Sequence, residues 1–151
     1  MIAVVQRVLR SSVTVDGKKI SEIDRGVNVL LGVYKGDTEQ TADFLAHKVA
    51  GLRIFCDDDD KMNRSLLDLR KEGIDAKALV VSQFTLCGEC AKGMRPSYIN
   101  AEEPVRAKEM YEYFTKKLEE EGVPCENGIF QADMKVEILN DGPVTIILNK
   151  S

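Results

Sequence analysis

Several features that enzymes commonly use are missing from this chain of 151 residues. It holds a single histidine, His47, so a His–Ser–Asp or Cys–His arrangement would have to use that residue. No G-x-S-x-G motif accompanies it, and no G-x-G-x-x-G or G-K-[ST] pattern marks a phosphate-binding loop. The sequence therefore argues against a side-chain triad and against a glycine-rich phosphate site.

Metal-binding patterns are equally incomplete. The pair Cys87-x-x-Cys90 has the spacing of half a zinc site, but no second C-x-x-C or Cys/His pair is present. A thioredoxin-type motif should open a helix after a strand, which this segment satisfies only loosely. The run at residues 57–60 lacks the ligand spacing and the glutamate of an EF-hand loop, so it is interpreted as a solvated acidic loop. We expect neither a metal nor a cofactor.

Long apolar segments and a basic excess are also absent. No run approaches the roughly 18 apolar residues of a membrane span, and the N-terminus lacks the layout of a signal peptide. We therefore expect a cytoplasmic protein with no membrane partner and with its four cysteines reduced. A chain with a net charge of −4 is unsuited to binding long stretches of nucleic acid, so any contact with nucleic acid must be local.

The composition that remains is that of one globular domain spanning residues 1–151, with 44% hydrophobic and 30% charged residues. Apolar periodicity predicts helices at 38–50 and 103–121. Residues 62–75 are interpreted as a short strand or an irregular turn. Strands are expected at 2–8, 27–33, 53–55, 78–86 and 125–130, with a hairpin at 13–20 that turns on Asp16-Gly17.

The polar residues that follow the strand at residue 81, and the loop at 87–104, have the marks of a functional region. Ser82-Gln83-Phe84-Thr85-Leu86 closes an apolar strand, where polar side chains often line a site. The loop after it contains Gly88, Gly93 and Pro96, with Lys92 and Arg95 between them.

A second distinctive run, Asn140-Asp141-Gly142-Pro143-Val144-Thr145, lies between a strictly alternating strand at 134–139 and a short β-branched strand at 146–148. Asn-Asp-Gly between two strands is a common turn sequence of β-hairpins. Proline cannot donate to a sheet ladder, so its position at the start of a strand is unusual. Two interpretations are open: a plain turn, or a rigid backbone finger that presents two carbonyl groups.

Together these two runs resemble the signature motifs S-Q-F-T-L and N-x-G-P-V-T of the D-aminoacyl-tRNA deacylases. The similarity continues along almost the whole chain. It covers segments such as Ala3-Val4-Val5-Gln6-Arg7-Val8, Leu52-Arg53-Ile54-Phe55, Lys92-Gly93-x-Arg95-Pro96-Ser97 and Ala132-Asp133-Met134. The fold it implies is α/β (mixed α+β): a single domain of largely antiparallel β-sheets that form a barrel-like core, with two main helices.

The resemblance implies an esterase that hydrolyses D-aminoacyl-tRNA, and also glycine mischarged on tRNA(Ala), while it spares L-aminoacyl-tRNA in translational proofreading. In this family the ester is already activated, and the 2′-hydroxyl of the terminal adenosine assists the attack of water. The enzyme then has mainly to position the ester and stabilise developing charge. The positioning residues implied, acting largely through the main chain, are Ser82, Gln83, Phe84 and Thr85.

Selectivity in the family comes from the Gly-Pro dipeptide, here Gly142 and Pro143. It is cis and is inserted from one subunit of a homodimer into the site of the other, where its carbonyl groups exclude an L-side chain. Arg7, Met134 and Asn140 match supporting positions. Taken without the resemblance, Arg7 is a surface cation and Met134 a core residue.

Two other functions are weighed against this one. The loop that carries Lys92 and Arg95 could belong to a non-catalytic RNA-binding module, although the chain has no basic stripe or aromatic platform. The chain could also be a deacylase of L-alanyl-tRNA, but that related enzyme differs in both motifs.

Overall fold

Strand β1, Ile2–Val15, pairs with three other strands. On one edge it pairs with β3, Gly26–Gly32, and then with β2, Lys18–Ile23, while β8, Lys135–Asn149, covers the other edge. These three pairs are antiparallel, and β6 and β7 extend the sheet in parallel beyond β3. The computed structural model describes all residues from 1 to 151. The remaining strands are β4 (Phe55–Cys56), β5 (Met62–Arg64), β6 (Lys77–Ser82) and β7 (Cys125–Asn127).

The β1–β2 hairpin confirms the turn expected at Asp16-Gly17. Both residues have positive φ, 49° at Asp16 and 76° at Gly17. A two-residue turn of this type matches the twist of the paired strands and favours Asp-Gly.

Helices α1, Glu39–Gly51, and α3, Pro104–Glu120, confirm the two predicted helices to within one residue at each end. Their apolar faces pack against the sheet in the main core, where Leu45 and Val49 of α1 meet Phe114 and Leu118 of α3. No helix is long and apolar enough to cross a membrane.

A second, smaller core shows that the sheet curls into a nearly closed barrel. Side chains from β1, β2, β6 and β8 meet there, although β6 forms no hydrogen-bonded pair with β2 or β8. The fully enclosed members are Val8, Val13, Ile23, Leu79 and Val81, with Met134, Val136 and Ile138 half-buried against them. The fold is therefore a mixed α+β domain with a barrel-like sheet, as expected, and with three α-helices rather than two.

The additional helix is α2, Leu66–Lys71, within the segment interpreted as a short strand or irregular turn. That interpretation is right for β5 and wrong for α2. The helix begins at a reciprocal cap in which the Asp68 amide donates to Ser65 Oγ (3.1 Å) and the Ser65 amide donates to the Asp68 carboxylate (2.8 Å). These bonds from Ser65 also lower the pKa of Asp68, so the carboxylate stays ionised as an acceptor.

The strand predicted at 78–86 is shorter than expected, and its last residues form a turn. Strand β6 ends at Ser82, and Phe84–Cys87 form one turn of 3₁₀ helix. The Gln83 amide donates to the Leu31 carbonyl (2.8 Å), and this contact with β3 fixes where the strand ends. The predicted strand at 125–130 likewise ends early, at Asn127.

The predicted hairpin at residues 140–145 is wrong. Strand β8 runs through this segment without reversing, and both of its halves pair with β1. Between the pairs Gln6–Thr145 and Val8–Asn140, β8 advances five residues while β1 advances two, so three residues of β8 are left over. The run is an enlarged β-bulge in a continuous strand. We refer to residues 141–144 as the finger.

The cap of α2 gives a test of local stability. Ser65→Ala removes the acceptor for the Asp68 amide, and we expect it to lower the free energy of unfolding by about 1 kcal/mol in urea denaturation. The matched control is Ser97→Ala, because Ser97 is exposed and its hydroxyl makes no hydrogen bond; it should change that free energy by less than about 0.5 kcal/mol. Equal and small effects of the two variants would contradict a stabilising role for the cap.

Candidate functional site

A cavity of about 590 Å³ opens where β6 ends, beside the start of α3 and the segment that leads into β8. Its wall combines the first sequence motif with residues from distant parts of the chain. The lining residues are Val33, Val81, Ser82, Gln83, Phe84, Glu102, Pro104, Ala107, Phe130, Gln131, Ala132, Asp133, Met134 and Val136. Four of the predicted site residues, Ser82, Gln83, Phe84 and Met134, are thus brought together.

The 3₁₀ turn presents Phe84 and Thr85 at the surface beside the cavity. Gln83 stands at the N-cap position of the turn and makes no side-chain capping bond there. The first amide groups of such a turn have no partner within it, so those of Phe84 and Thr85 remain available as donors. The Gln83 side-chain amide donates instead to Thr85 Oγ1. Thr85 itself does not line the cavity.

A buried polar network joins α3 and β7 to β6, the strand that ends at the cavity. Tyr111 Oη of α3 donates to the Val80 carbonyl of β6 (2.8 Å), and Asn127 Nδ2 donates to Tyr111 Oη (2.9 Å). Burial raises the pKa of Tyr111, so the hydroxyl keeps the proton that it donates. Next to this network Met134 packs on Gly128, where an added Cβ would lie 2.6 Å from the Met134 sulfur. Glycine at 128 therefore sets the position of Met134 in the wall.

Arg7 binds the base of the finger. Its Nε donates to the Asp141 carbonyl (3.1 Å) and lies 3.3 Å from the Asp141 carboxylate, while Nη1 donates to the Ile54 carbonyl (2.7 Å). Arg7 is only 8% exposed, so it is not the surface cation that the sequence alone suggests. A buried guanidinium needs such partners, because an unpaired charge in the interior is costly.

Gly142 and Pro143 are exposed, and neither lines the cavity of the chain that carries them. The peptide bond between them is cis. Gly142 has φ +124°, and an added Cβ would lie 3.0 Å from both Arg7 Nη2 and Val144 Cγ2. Glycine is therefore required for the finger to pass close to Arg7. Asn140 precedes the finger, is exposed and also lies outside the cavity lining.

The two ionisable groups that line the cavity form no hydrogen bond with each other. Only Glu102 and Asp133 line it, and His47 stands exposed on α1 with its ring near Glu121. No group of three or more His, Cys, Asp or Glu side chains is arranged to bind a metal ion.

The two cysteines with half-zinc spacing differ in environment. Cys87 is buried and donates its thiol to the Val33 carbonyl (3.4 Å), whereas Cys90 is exposed. Burial raises the pKa of Cys87, which disfavours the thiolate that both metal binding and redox chemistry require.

Several wall residues were not predicted individually from the sequence. Glu102 and Pro104 fall in the loop at 87–104 that was interpreted as a functional region, Ala107 was predicted only as part of a helix, and Phe130 only as the end of a strand. They reach the cavity through the packing of α3 against β6, which is a non-local contact. Ala132 and Asp133 did carry a signal, because they belong to one of the segments that resemble the family.

Comparison with known proteins shows the same relationship along the whole chain. The family model described as D-Tyr-tRNA(Tyr) deacylase matches residues 4–149. Proteins named D-aminoacyl-tRNA deacylase from Geotalea daltonii and Persephonella marina are each 56% identical to this chain. The first alignment covers 98% of this chain and 95% of the relative, and the second covers 99% and 97%.

Two solved structures share the fold. One, named "c-Myc DNA Unwinding Element Binding Protein", superposes with a TM-score of 0.91 at 41% identity and covers 100% of this chain and 99% of its own. The other, described as a probable eukaryotic D-amino acid tRNA deacylase, has a TM-score of 0.77 over 97% of each chain. Its sequence is 16% identical, so that likeness concerns the fold alone.

The hydrogen bonds of Arg7 predict that replacing Arg7 lowers the free energy of unfolding much more than replacing Arg10, an arginine on the same strand. Arg7→Met removes two charge-assisted hydrogen bonds, one to the buried Ile54 carbonyl and one to the partly buried Asp141 carbonyl, and we expect it to lower the free energy of unfolding by about 3 kcal/mol. The control is Arg10→Met, because Arg10 is exposed and forms no ion pair; its effect should stay below about 0.5 kcal/mol. Chemical denaturation of both variants measures these changes. Equal losses of free energy of unfolding would show that Arg7 does not stabilise the finger.

Proposed function

Because this chain belongs to the D-Tyr-tRNA(Tyr) deacylase family and is a D-aminoacyl-tRNA deacylase, we propose that the cavity beside Ser82–Phe84 binds the aminoacyl end of that substrate. One observation carries the assignment: the first motif of the family forms a wall of the cavity. A volume of about 590 Å³ falls within the range of small-molecule sites, and the mixed apolar and polar lining suits a nucleoside with its attached amino acid.

Catalysis in this proposal uses positioned main-chain groups and the substrate itself. Thr85 is not a nucleophile here, because its hydroxyl contacts the Gln83 amide and an amide cannot remove a proton. The free amide group of Phe84, at the start of the 3₁₀ turn, stabilises the negative charge that develops on the carbonyl oxygen of the ester. The 2′-hydroxyl of the terminal adenosine assists the attacking water. Thr85 and Gln83 hold the turn in place.

Selection against L-amino acids is proposed to come from a second copy of the chain. The finger is exposed and lies outside its own cavity, so it is free to enter the cavity of a partner. Main-chain groups of Gly142 and Pro143 would then face the α-carbon of the substrate. A backbone wall there leaves room for hydrogen or a D-side chain and collides with an L-side chain. Glycine, including glycine mischarged on tRNA(Ala), passes because it has no side chain.

The surface around the finger supports a homodimer. Three large apolar side chains on β1 and β8 are exposed: Leu9 (52%), Leu139 (47%) and Ile147 (66%). Leu9 and Leu139 lie on one side of the finger and Ile147, paired opposite Val4, lies on the other, and exposed apolar side chains that flank such a segment suit a surface covered by another chain. In the dimer Arg7 and Asn140 would support the finger from its own chain, and Met134 would meet it from the receiving cavity.

On this account residues 1–151 form one deacylase domain that acts in the cytoplasm. There it removes D-amino acids from tRNA before they reach the ribosome, which is a proofreading role.

The function is tested by matched hydrolysis assays with tRNA(Tyr) charged with D-tyrosine or L-tyrosine. We expect rapid release of D-tyrosine and no release of L-tyrosine above the uncatalysed rate, because both esters fit the cavity but only the L-side chain meets the backbone wall. Glycyl-tRNA should be hydrolysed as well.

Two outcomes would contradict the proposal. Equal affinity for charged and uncharged tRNA without turnover would favour a nucleic-acid-binding module, which is the kind of protein that the name of the 41% identical structure describes. Preferential hydrolysis of L-alanyl-tRNA would identify the related L-alanine deacylase instead.

A further inference from the structure

The loop at residues 88–101, which follows the 3₁₀ turn, is the most exposed segment of the molecule. Every residue from 91 to 100 is exposed, and Met94 is 99% exposed. The loop is nevertheless ordered by backbone hydrogen bonds: Glu89 and Ser97 each donate to the carbonyl of the other (2.8 and 3.0 Å), and the Lys35 amide donates to the Asn100 carbonyl (3.0 Å). It is a defined structure on the surface and not a tail.

Three cations on and beside this loop have no acidic partner. Lys92 and Arg95 lie in the loop, Lys35 lies at its base, and none of the three forms an ion pair within 4.0 Å. The contrast with α3 is clear, because each of its basic residues pairs with a glutamate. Those pairs are Arg106–Glu109, Lys108–Glu112, Lys116–Glu120 and Lys117–Glu120.

Exposed aromatic rings connect the loop to the cavity. Tyr98, 39% exposed, meets Phe84, 56% exposed, in an edge-to-face contact with ring centroids 5.1 Å apart. An added Cβ at Gly88 would lie 2.9 Å from the Tyr98 ring, so glycine there lets the ring lie against the backbone. Since Phe84 also lines the cavity, the aromatic pair forms one continuous surface with the proposed adenosine site.

We propose that the 88–101 loop, together with Lys35, binds the single-stranded nucleotides that precede the terminal adenosine of tRNA. The inference rests on the proposed function of the cavity and extends it. Unpaired cations beside exposed aromatic rings are the usual combination for binding single-stranded nucleic acid, with cations on phosphates and rings stacked on bases. A chain with net charge −4 needs such a local basic site to hold a polyanion.

The test compares two substrates that share the reacting ester: D-tyrosyl-tRNA(Tyr) and the D-tyrosyl ester of adenosine alone. For the double variant Lys92→Ala/Arg95→Ala we expect kcat/KM on the tRNA to fall by about tenfold or more, since two phosphate contacts are lost. The same variant should hydrolyse the adenosine ester within about twofold of the unmodified chain. The slope of log kcat/KM against log salt on the tRNA should decrease by about 1.4, at about 0.7 per phosphate contact.

A second double variant, Lys18→Ala/Lys71→Ala, controls for the loss of two positive charges. It removes two exposed lysines that also form no ion pair but lie away from the loop, on β2 and α2. This pair should leave both substrates and the salt slope unchanged. A further variant, Tyr98→Leu, should weaken hydrolysis of the tRNA by about fivefold or more through lost base stacking, and by clearly more than it weakens hydrolysis of the adenosine ester.

Three results would overturn the inference. Equal losses on both substrates would show that the loop only supports the cavity, and losses no larger than those of the control would show that it does not touch tRNA. A change of mass in solution for Lys92→Ala/Arg95→Ala would show that the loop contacts a second copy instead. If the unmodified chain hydrolyses neither substrate, the proposed function itself fails, and that result is distinct from the other three.

Discussion

The buried guanidinium of Arg7 is the interaction on which the unusual part of this fold depends. It lies on the central strand and joins the Asp141 carbonyl of β8 to the Ile54 carbonyl next to β4. Strand β8 has three residues more than its partner needs between Gln6 and Val8, and a bulge of that size has no ladder bonds of its own to hold it. Arg7 supplies those bonds, and the glycine at 142 allows its side chain to approach closely.

The cavity and the finger are separate features of one chain, and each is incomplete for the proposed selectivity. The cavity wall includes Phe84 of the 3₁₀ turn, two carboxylates and apolar side chains, but not the finger of the same chain. The finger presents backbone at the surface and has no cavity beside it. Two copies related by a twofold axis would complete both sites at once, because a symmetric contact uses the same pair of surfaces twice. Such a shared arrangement fits the proposed catalysis, which depends mainly on positioning the ester and excluding L-side chains.

Local signals predicted much of the fold, and non-local contacts account for the errors. The Asp16-Gly17 hairpin, α1 and α3 follow from turn chemistry and periodicity within one stretch of sequence. Helix α2 is too short to show a period, and its cap of Ser65 and Asp68 was not predicted. The end of β6 depends on the bond from Gln83 to Leu31, and the continuity of β8 depends on β1 pairing on both sides of the finger. Of the predicted site residues, Ser82, Gln83, Phe84 and Met134 line the cavity, while the role predicted for Gly142 and Pro143 stays a prediction. Ala107 reaches the cavity only through tertiary packing.

A subunit-mixing experiment tests the shared site most directly. Gly142→Ala, which places a Cβ 3.0 Å from Arg7 Nη2, should displace the finger and allow hydrolysis of L-tyrosyl-tRNA, whereas Ala132→Trp should fill the cavity and abolish hydrolysis. On this account, the intact finger of the Ala132→Trp chain would enter the open cavity of the Gly142→Ala chain in mixed dimers. Adding an excess of Ala132→Trp chains should therefore suppress hydrolysis of L-tyrosyl-tRNA and retain that of D-tyrosyl-tRNA. Unchanged L-hydrolysis in samples whose mass shows mixed dimers, or a fully selective monomer, would contradict a site built from two chains.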